Sequence, residues 1–178
     1  MADELDRAER LGAYAVVLHP GAHLGAGASA GIDQIARSLN EVHALIPNNR
    51  VVTLLETAAG QGTCVGCTFQ ELGQMIRLVD DRSRVGICFD TCHVFAAGYD
   101  LPNDYDGVVA RFADVVGLDR LRVLHLNDSK APFASRKDRH ELIGEGAIGE
   151  GAFRRVMTDP RLAHVPKVIE TPKLDDAE

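Results

Sequence analysis

The sequence predicts an α/β protein built on a parallel sheet, and three observations predict it. Apolar, β-type runs alternate with helix-period segments five times along the 178 residues. Strands joined through single helices cross over the sheet and run parallel. Each of the five strands ends in a residue type that ligates metals: His19, Glu56, Asp90, His125 and Glu170. In parallel α/β folds the C-terminal strand ends share one face, where sites form.

The elements follow in order. Asp3 to Leu11 reads as a short helix with Leu5, Ala8 and Leu11 on one face. Ala13 to Leu18 is a buried strand ending at His19, and the Gly/Ala-rich stretch from Pro20 to Gly31 is loop. Ile32, Ile35, Leu39, Val42 and Ile46 repeat at helical spacing, and Pro47-Asn48-Asn49 stops the helix. Val51 to Leu55 forms the second strand, ending at Glu56. Phe69, Leu72, Ile76 and Val79 mark the next helix, and the strand from Val85 ends at Asp90. Ala96 to Asp104 is read as loop before a helix around Asp106 to Val116. Leu121 to Leu124 is the fourth strand, ending at His125. The stretch from Ser129 to Gly149 is the longest loop, a length that points to function. A short helix over Gly151–Thr158 and a strand over Lys167–Ile169, ending at Glu170, complete the pattern. The tail shows no further helix. The chain reads as one domain over residues 1–178, without linker or close repeat.

Composition narrows the function classes. A net charge of -7 excludes a generally basic nucleic-acid binder, though not a local positive site. No apolar run reaches the ~18 residues of a membrane span, and the charged start lacks an apolar signal segment. A cytoplasmic protein is expected. Four cysteines in a chain of this size suit a reducing compartment. Cys64-Val-Gly-Cys67 lacks a second C-x-x-C, so a four-cysteine zinc site is disfavoured. No G-x-G-x-x-G opens a helix, so no nucleotide cofactor is expected.

A single His or Asp after a strand is usually turn chemistry. Five in succession at one structural position point to a metal centre, with His93, Asp138 and His140 able to join from loops. Carboxylates gathered and buried without cations are expected to have raised pKa values. His23, His43 and His164 read as structural. Lys130, Arg136, Lys137 and Arg139 crowd the longest loop, where a solvated basic loop and a phosphate-contacting one are equally good readings.

HPGAHLGAG, LLETAAGQG, GICFDTCHVFAAGYD, HLNDSK, DRHELIGEGAIG and IETP together resemble endonuclease IV, the zinc-dependent apurinic/apyrimidinic endonuclease family. The resemblance implies a (β/α)8 barrel with three zinc ions at the strand ends. It implies that His19 ligates the first zinc and that Glu56 bridges the first and second. Asp90, His125 and Glu170 resemble ligands of the second, and His93, Asp138 and His140 those of the third. Glu56 and Glu170 are the carboxylates expected at the catalytic step, and Lys130, Arg136 and Arg139 are the DNA contacts expected if the basic loop meets phosphate. The implied reaction is metal-assisted hydrolysis of duplex DNA 5′ to an abasic site, leaving a 3′-hydroxyl and a 5′-deoxyribose phosphate. The complete form is expected to be a monomer.

The chain departs from that family in size. Five βα units do not close an eight-stranded barrel, which typically takes about 250 residues. The expectation is therefore a partial TIM barrel corresponding to its C-terminal part. The first three strands, one ligand of the first zinc and the final helix are missing. The first metal site should be weak, and the strand ending at His19 should present an open edge. Two other readings compete. One is a single-metal sugar isomerase or epimerase barrel using Glu56, Asp90, His125 and Glu170. The other is a non-catalytic remnant.

Overall fold

The structure, a computed structural model, describes residues 1–170. The expected tail after Glu170 lies outside them. The elements are α1 (Ala2–Arg10), β1 (Ala15–Leu18), α2 (Ala28–Leu45), β2 (Val52–Glu56), α3 (Phe69–Leu78), β3 (Val85–Asp90), α4 (Thr91–Ala97), α5 (Leu101–Val115), β4 (Leu121–His125), β5 (Asp128–Ser129), β6 (His140–Glu141), α6 (Glu150–Thr158) and β7 (Lys167–Val168). The main sheet has the order β1-β2-β3-β4-β7, with every neighbouring pair parallel. The alternation predicts this parallel α/β sheet, and its five strands in sequential order fit the partial TIM barrel that the resemblance implies.

Period-two alternation divides the strand residues between two faces. Leu55, Ile87, Phe89 and Leu124 join the large core under the helices, together with Leu39, Phe69, Leu72, Phe112 and Phe153. Leu54, Cys88 and Val123 form a small cluster on the opposite face. Glu56, Asp90 and His125 stand two residues beyond these three, so they project to the face without helices. The register sets Asp90 beside His125 and Glu56 beside Cys88.

Four local expectations change. β1, expected to be buried, is half-buried with Val17 exposed at the sheet's edge. Leu11 lies past the end of α1 and is exposed. The stretch after β3 is helical: Thr91–Ala97 forms α4, and α5 begins at Leu101, with Asp104 at a kink. Asp90 caps α4 by accepting the His93 N–H at 2.8 Å, and Gly98 ends it in the left-handed conformation at φ 106°. That Ala-Ala-Gly ending reads as loop because the helix is only seven residues long. Finally, the longest loop holds a small antiparallel ladder, β5 with β6, pairing Asp128 with Glu141 and Ser129 with His140.

Candidate metal centre

The strand ends converge as three sets of donors. His19 Nε2 lies 2.8 Å from Glu56 Oε2, while His125 Nδ1 lies 2.8 Å from Glu56 Oε1 and 2.9 Å from Glu170 Oε2. The two oxygens of Glu56 are therefore divided between His19 and His125. Donor atoms of Glu56, Asp90, His125 and Glu170 all lie within 4.8 Å of one another. In the third set, Asp138 approaches His93 Nε2 at 3.1 Å and His140 Nε2 at 3.3 Å, and the two Nε2 atoms are 3.4 Å apart. Asp90 Oδ2 stands between the second and third sets, 3.9 Å from both His125 Nδ1 and His140 Nε2. Donor atoms this close, three and four together, match the spacing of a metal coordination shell.

Neighbouring groups fix how these donors point. His93 Nδ1 lies 2.8 Å from the Thr57 carbonyl, and His140 Nδ1 lies 3.2 Å from the Glu170 carbonyl. An Nδ1–H donated to a carbonyl leaves each Nε2 with its lone pair toward the third set. Asn127 donates from Nδ2 to Asp90 Oδ2 and accepts the Glu170 N–H on Oδ1 at 2.8 Å. Thr91 Oγ1 bridges to the Asn127 carbonyl at 2.7 Å, and the Asp90 N–H donates to Thr57 Oγ1 at 2.9 Å. Thr57, Thr91 and Asn127 are all buried, and residue type and spacing do not mark Thr57 and Asn127 as site residues. The one available signal was the position of Asn127 in the polar run that closes β4.

The electrostatics differ from the expectation of uniformly raised carboxylates. Burial does oppose the charged form of Glu56. Hydrogen bonds from His125 and His19 and the charge of His93 more than offset it and hold the group at about 2. Asp138 is also lowered, chiefly by its hydrogen bond with His93. Asp90 follows the expectation, raised by burial. The histidines answer in kind. Burial works against a charge on His93, but Asp138, Asp90 and Glu56 push it up to about 9. His19 is raised by its bond to Glu56, and His125 rises because Glu56 and its neighbours outweigh burial. The upward shifts of these histidines and the downward shifts of Glu56 and Asp138 mark a site whose carboxylates favour positive charge beside them.

Lys130, Arg136 and Arg139 line a groove of about 660 Å³ together with Gln61, Ser135 and Lys137. It adjoins the third set through the Asp138 N–H, which reaches Gln61 Oε1 at 3.4 Å. His23 accepts the Gly25 and Gly27 N–H groups on Nδ1, each at 3.2 Å, and stiffens the loop before α2. His43 is buried on α2, and His164 is exposed. Among the described residues, no group of metal-type donors includes Cys64 or Cys67, and no helix is long and apolar enough to cross a membrane.

Comparison with known proteins fits this geometry. A family model described as a xylose isomerase-like TIM barrel matches residues 1–178. A probable endonuclease 4 from Oceanobacillus iheyensis is 49% identical over 172 residues, which are 97% of this chain and 57% of the relative. The crystal structure of endonuclease IV from Thermus thermophilus aligns with a TM-score of 0.84 at 39% identity, covering 98% of this chain and 61% of that one. A D-tagatose 3-epimerase-like protein aligns with a TM-score of 0.71 at 20% identity over 94% of this chain and 60% of its own, a likeness of fold alone. The chain thus spans little more than half the length of the relatives it matches. The match over residues 1–178 makes it a member of the xylose isomerase-like TIM barrel family, and within that family it is similar to endonuclease IV.

Proposed function

We propose that the chain carries the machinery of a zinc-dependent phosphodiester hydrolase that cleaves duplex DNA 5′ to abasic sites in base excision repair. The products are a 3′-hydroxyl and a 5′-deoxyribose phosphate. The observation that carries this reading is the third donor set, His93, Asp138 and His140, standing beside the four-donor set of Glu56, Asp90, His125 and Glu170. One metal suffices to polarise a sugar carbonyl, whereas several clustered metals suit in-line displacement at phosphorus. The mixed imidazole and carboxylate donors, with no thiolate needed, fit zinc.

His19 and Glu56 would hold one ion, Glu56, Asp90, His125 and Glu170 a second, and His93, Asp138 and His140 a third. When bound, zinc supplies Lewis acidity at the phosphate and lowers the pKa of the attacking water. The protein's own part is orientation. Glu56 is buried and divides its oxygens between two sets, which fixes their separation. Glu170 has a half-exposed side chain at the open side of the site, where a phosphate can approach. These two carboxylates are assigned to the catalytic step. Lys130, Arg136 and Arg139 contact backbone phosphates along the groove, positioning DNA without reading sequence. The reading takes abasic duplex DNA as partner, a cytoplasmic setting, and a monomer as the complete form.

The test is incision of a duplex oligonucleotide carrying one tetrahydrofuran abasic analogue, run beside a zinc count on the same preparation. Cleavage 5′ to the analogue, lost with chelator and restored by zinc, is expected. His93, which also lies with His19 and Glu56, is assigned to the third set, so the His19–Glu56 ion keeps two donors of its own and should be the weakest held. Three equally tight sites contradict that ranking. One metal per chain, with proton exchange on a ketose, favours the epimerase reading. Bound zinc without incision marks a non-catalytic chain.

A further inference from the structure

One buried carboxylate stands outside every donor set. Asp128 follows Asn127 at the end of the β4 segment, is fully buried, and belongs to none of the metal-type groups found among the described residues. Its hydrogen bonds come from backbone amides. Oδ1 accepts the N–H groups of Ser129 at 2.8 Å and Ile148 at 2.9 Å, and Oδ2 accepts those of Gly144 at 2.9 Å and Gly149 at 3.2 Å. Ser129 begins the long loop, and Gly144, Ile148 and Gly149 end it. The carboxylate therefore ties both ends of the loop to the strand end that carries His125. Four charge-assisted bonds to one anion are strong and geometrically demanding.

That loop carries Asp138 and His140. Its other backbone attachments are neutral hydrogen bonds. The Lys130 N–H reaches the Arg139 carbonyl at 2.9 Å and the Ala147 N–H the Ser129 carbonyl at 2.8 Å. Its tip docks on α4, where the N–H groups of Ala134 and Arg136 meet the carbonyls of Phe95 at 3.2 Å and Ala96 at 3.0 Å. Both tip residues hold positive φ, 55° and 54°, a conformation that non-glycine residues keep only when their surroundings impose it. The wrap around Asp128 leaves no room at Gly146, where an added Cβ would stand 2.5 Å from Asp128 Oδ1 and 2.6 Å from the Ser129 carbonyl oxygen.

We propose that Asp128 is the positioning residue of the third donor set: its carboxylate clamps the 129–149 loop so that Asp138 and His140 meet His93. This rests on the metal reading above and deepens it. None of Glu56, Asp90, His125 and Glu170 comes from the clamped loop, so loss of the clamp should spare their set.

Two variants reach the clamp independently. Asp128→Asn keeps one acceptor oxygen but turns an NH2 toward backbone N–H donors. Gly146→Ala leaves the carboxylate intact and forces the loop off it. Each is compared with the unaltered chain by equilibrium dialysis against zinc, by the visible spectrum with cobalt(II), and by amide hydrogen exchange without metal. The expected result is at least a tenfold weaker third metal with the four-donor metal retained. Faster exchange at Gly144, Ile148 and Gly149, also by at least tenfold, should accompany it. Unchanged metal binding and exchange in both variants overturn the proposal. So does a parallel loss of all metals with a lowered unfolding midpoint, which would make Asp128 a general stabiliser. If the unaltered chain binds no metal at His93, Asp138 and His140, the metal reading itself fails, and the exchange data still decide whether Asp128 holds the loop.

Discussion

At His93, protons and the proposed metal would compete for the same nitrogen. The ring is raised to about 9 because Asp138, Asp90 and Glu56 outweigh its burial. In the metal-free chain this histidine stabilises the fold fully below its unfolded value of about 6.5, and that contribution is lost as pH rises through about 9. Metal binding runs the other way, since only the neutral ring is a ligand. Zinc affinity at this set should therefore rise about tenfold per pH unit between pH 7 and 9 through this group alone, in competition titrations with a chromophoric chelator. A flat profile contradicts the assignment. Candidate donors such as Asp90 and His125 were legible in the sequence because residue type and strand-end position are local properties. The residues that aim them were not. Asn127 meets the Asp90 side chain across 37 positions and Thr57 meets His93 across 36, and no periodicity encodes such partners.

Among the elements, α4 shows how one side chain serves two purposes. Asp90 ends β3 by offering Oδ2 to the donor sets, and it starts α4 by capping the His93 N–H with Oδ1. The cap places His93 one helical turn further on, with its ring back at the site. Thr91 and Cys92 form the first turn of the helix, and Thr91 also ties that turn to the end of β4. Asn caps a helix as well as Asp, whereas Ala does not, at a cost of about 0.5–2 kcal/mol. Asp90→Asn should thus weaken mainly the four-donor metal. Asp90→Ala should also release α4 and weaken the His93–Asp138–His140 metal. Metal counts on the two variants check this, and identical losses contradict it. The long amphipathic helices α2, α3 and α5 were readable from spacing. The seven-residue α4 was not, because its signal is a cap and a C-terminal glycine, both of which also mark loops.

On the scale of the whole molecule, the alternation of elements encodes a parallel sheet but not its closure. Closure depends on how many strands share the barrel, a count no local pattern carries. Among the described residues β1 pairs only with β2, and β7 only with β4, so both outer strands present unpaired backbone edges. Apolar side chains are exposed along them: Tyr14 and Val17 at β1, and Val168 and Ile169 at β7. The β1 edge, apolar and without bulge or proline, is a template for pairing with another chain, whereas β7 already carries Lys167, and a lysine is an effective block. The 178-residue chain should therefore self-associate in a concentration-dependent way, and Val17→Lys should shift it toward monomer. Sedimentation velocity over a hundredfold range of concentration measures both. A chain that stays monomeric throughout with Val17 intact shows that the edges are covered in solution by a means other than strand pairing.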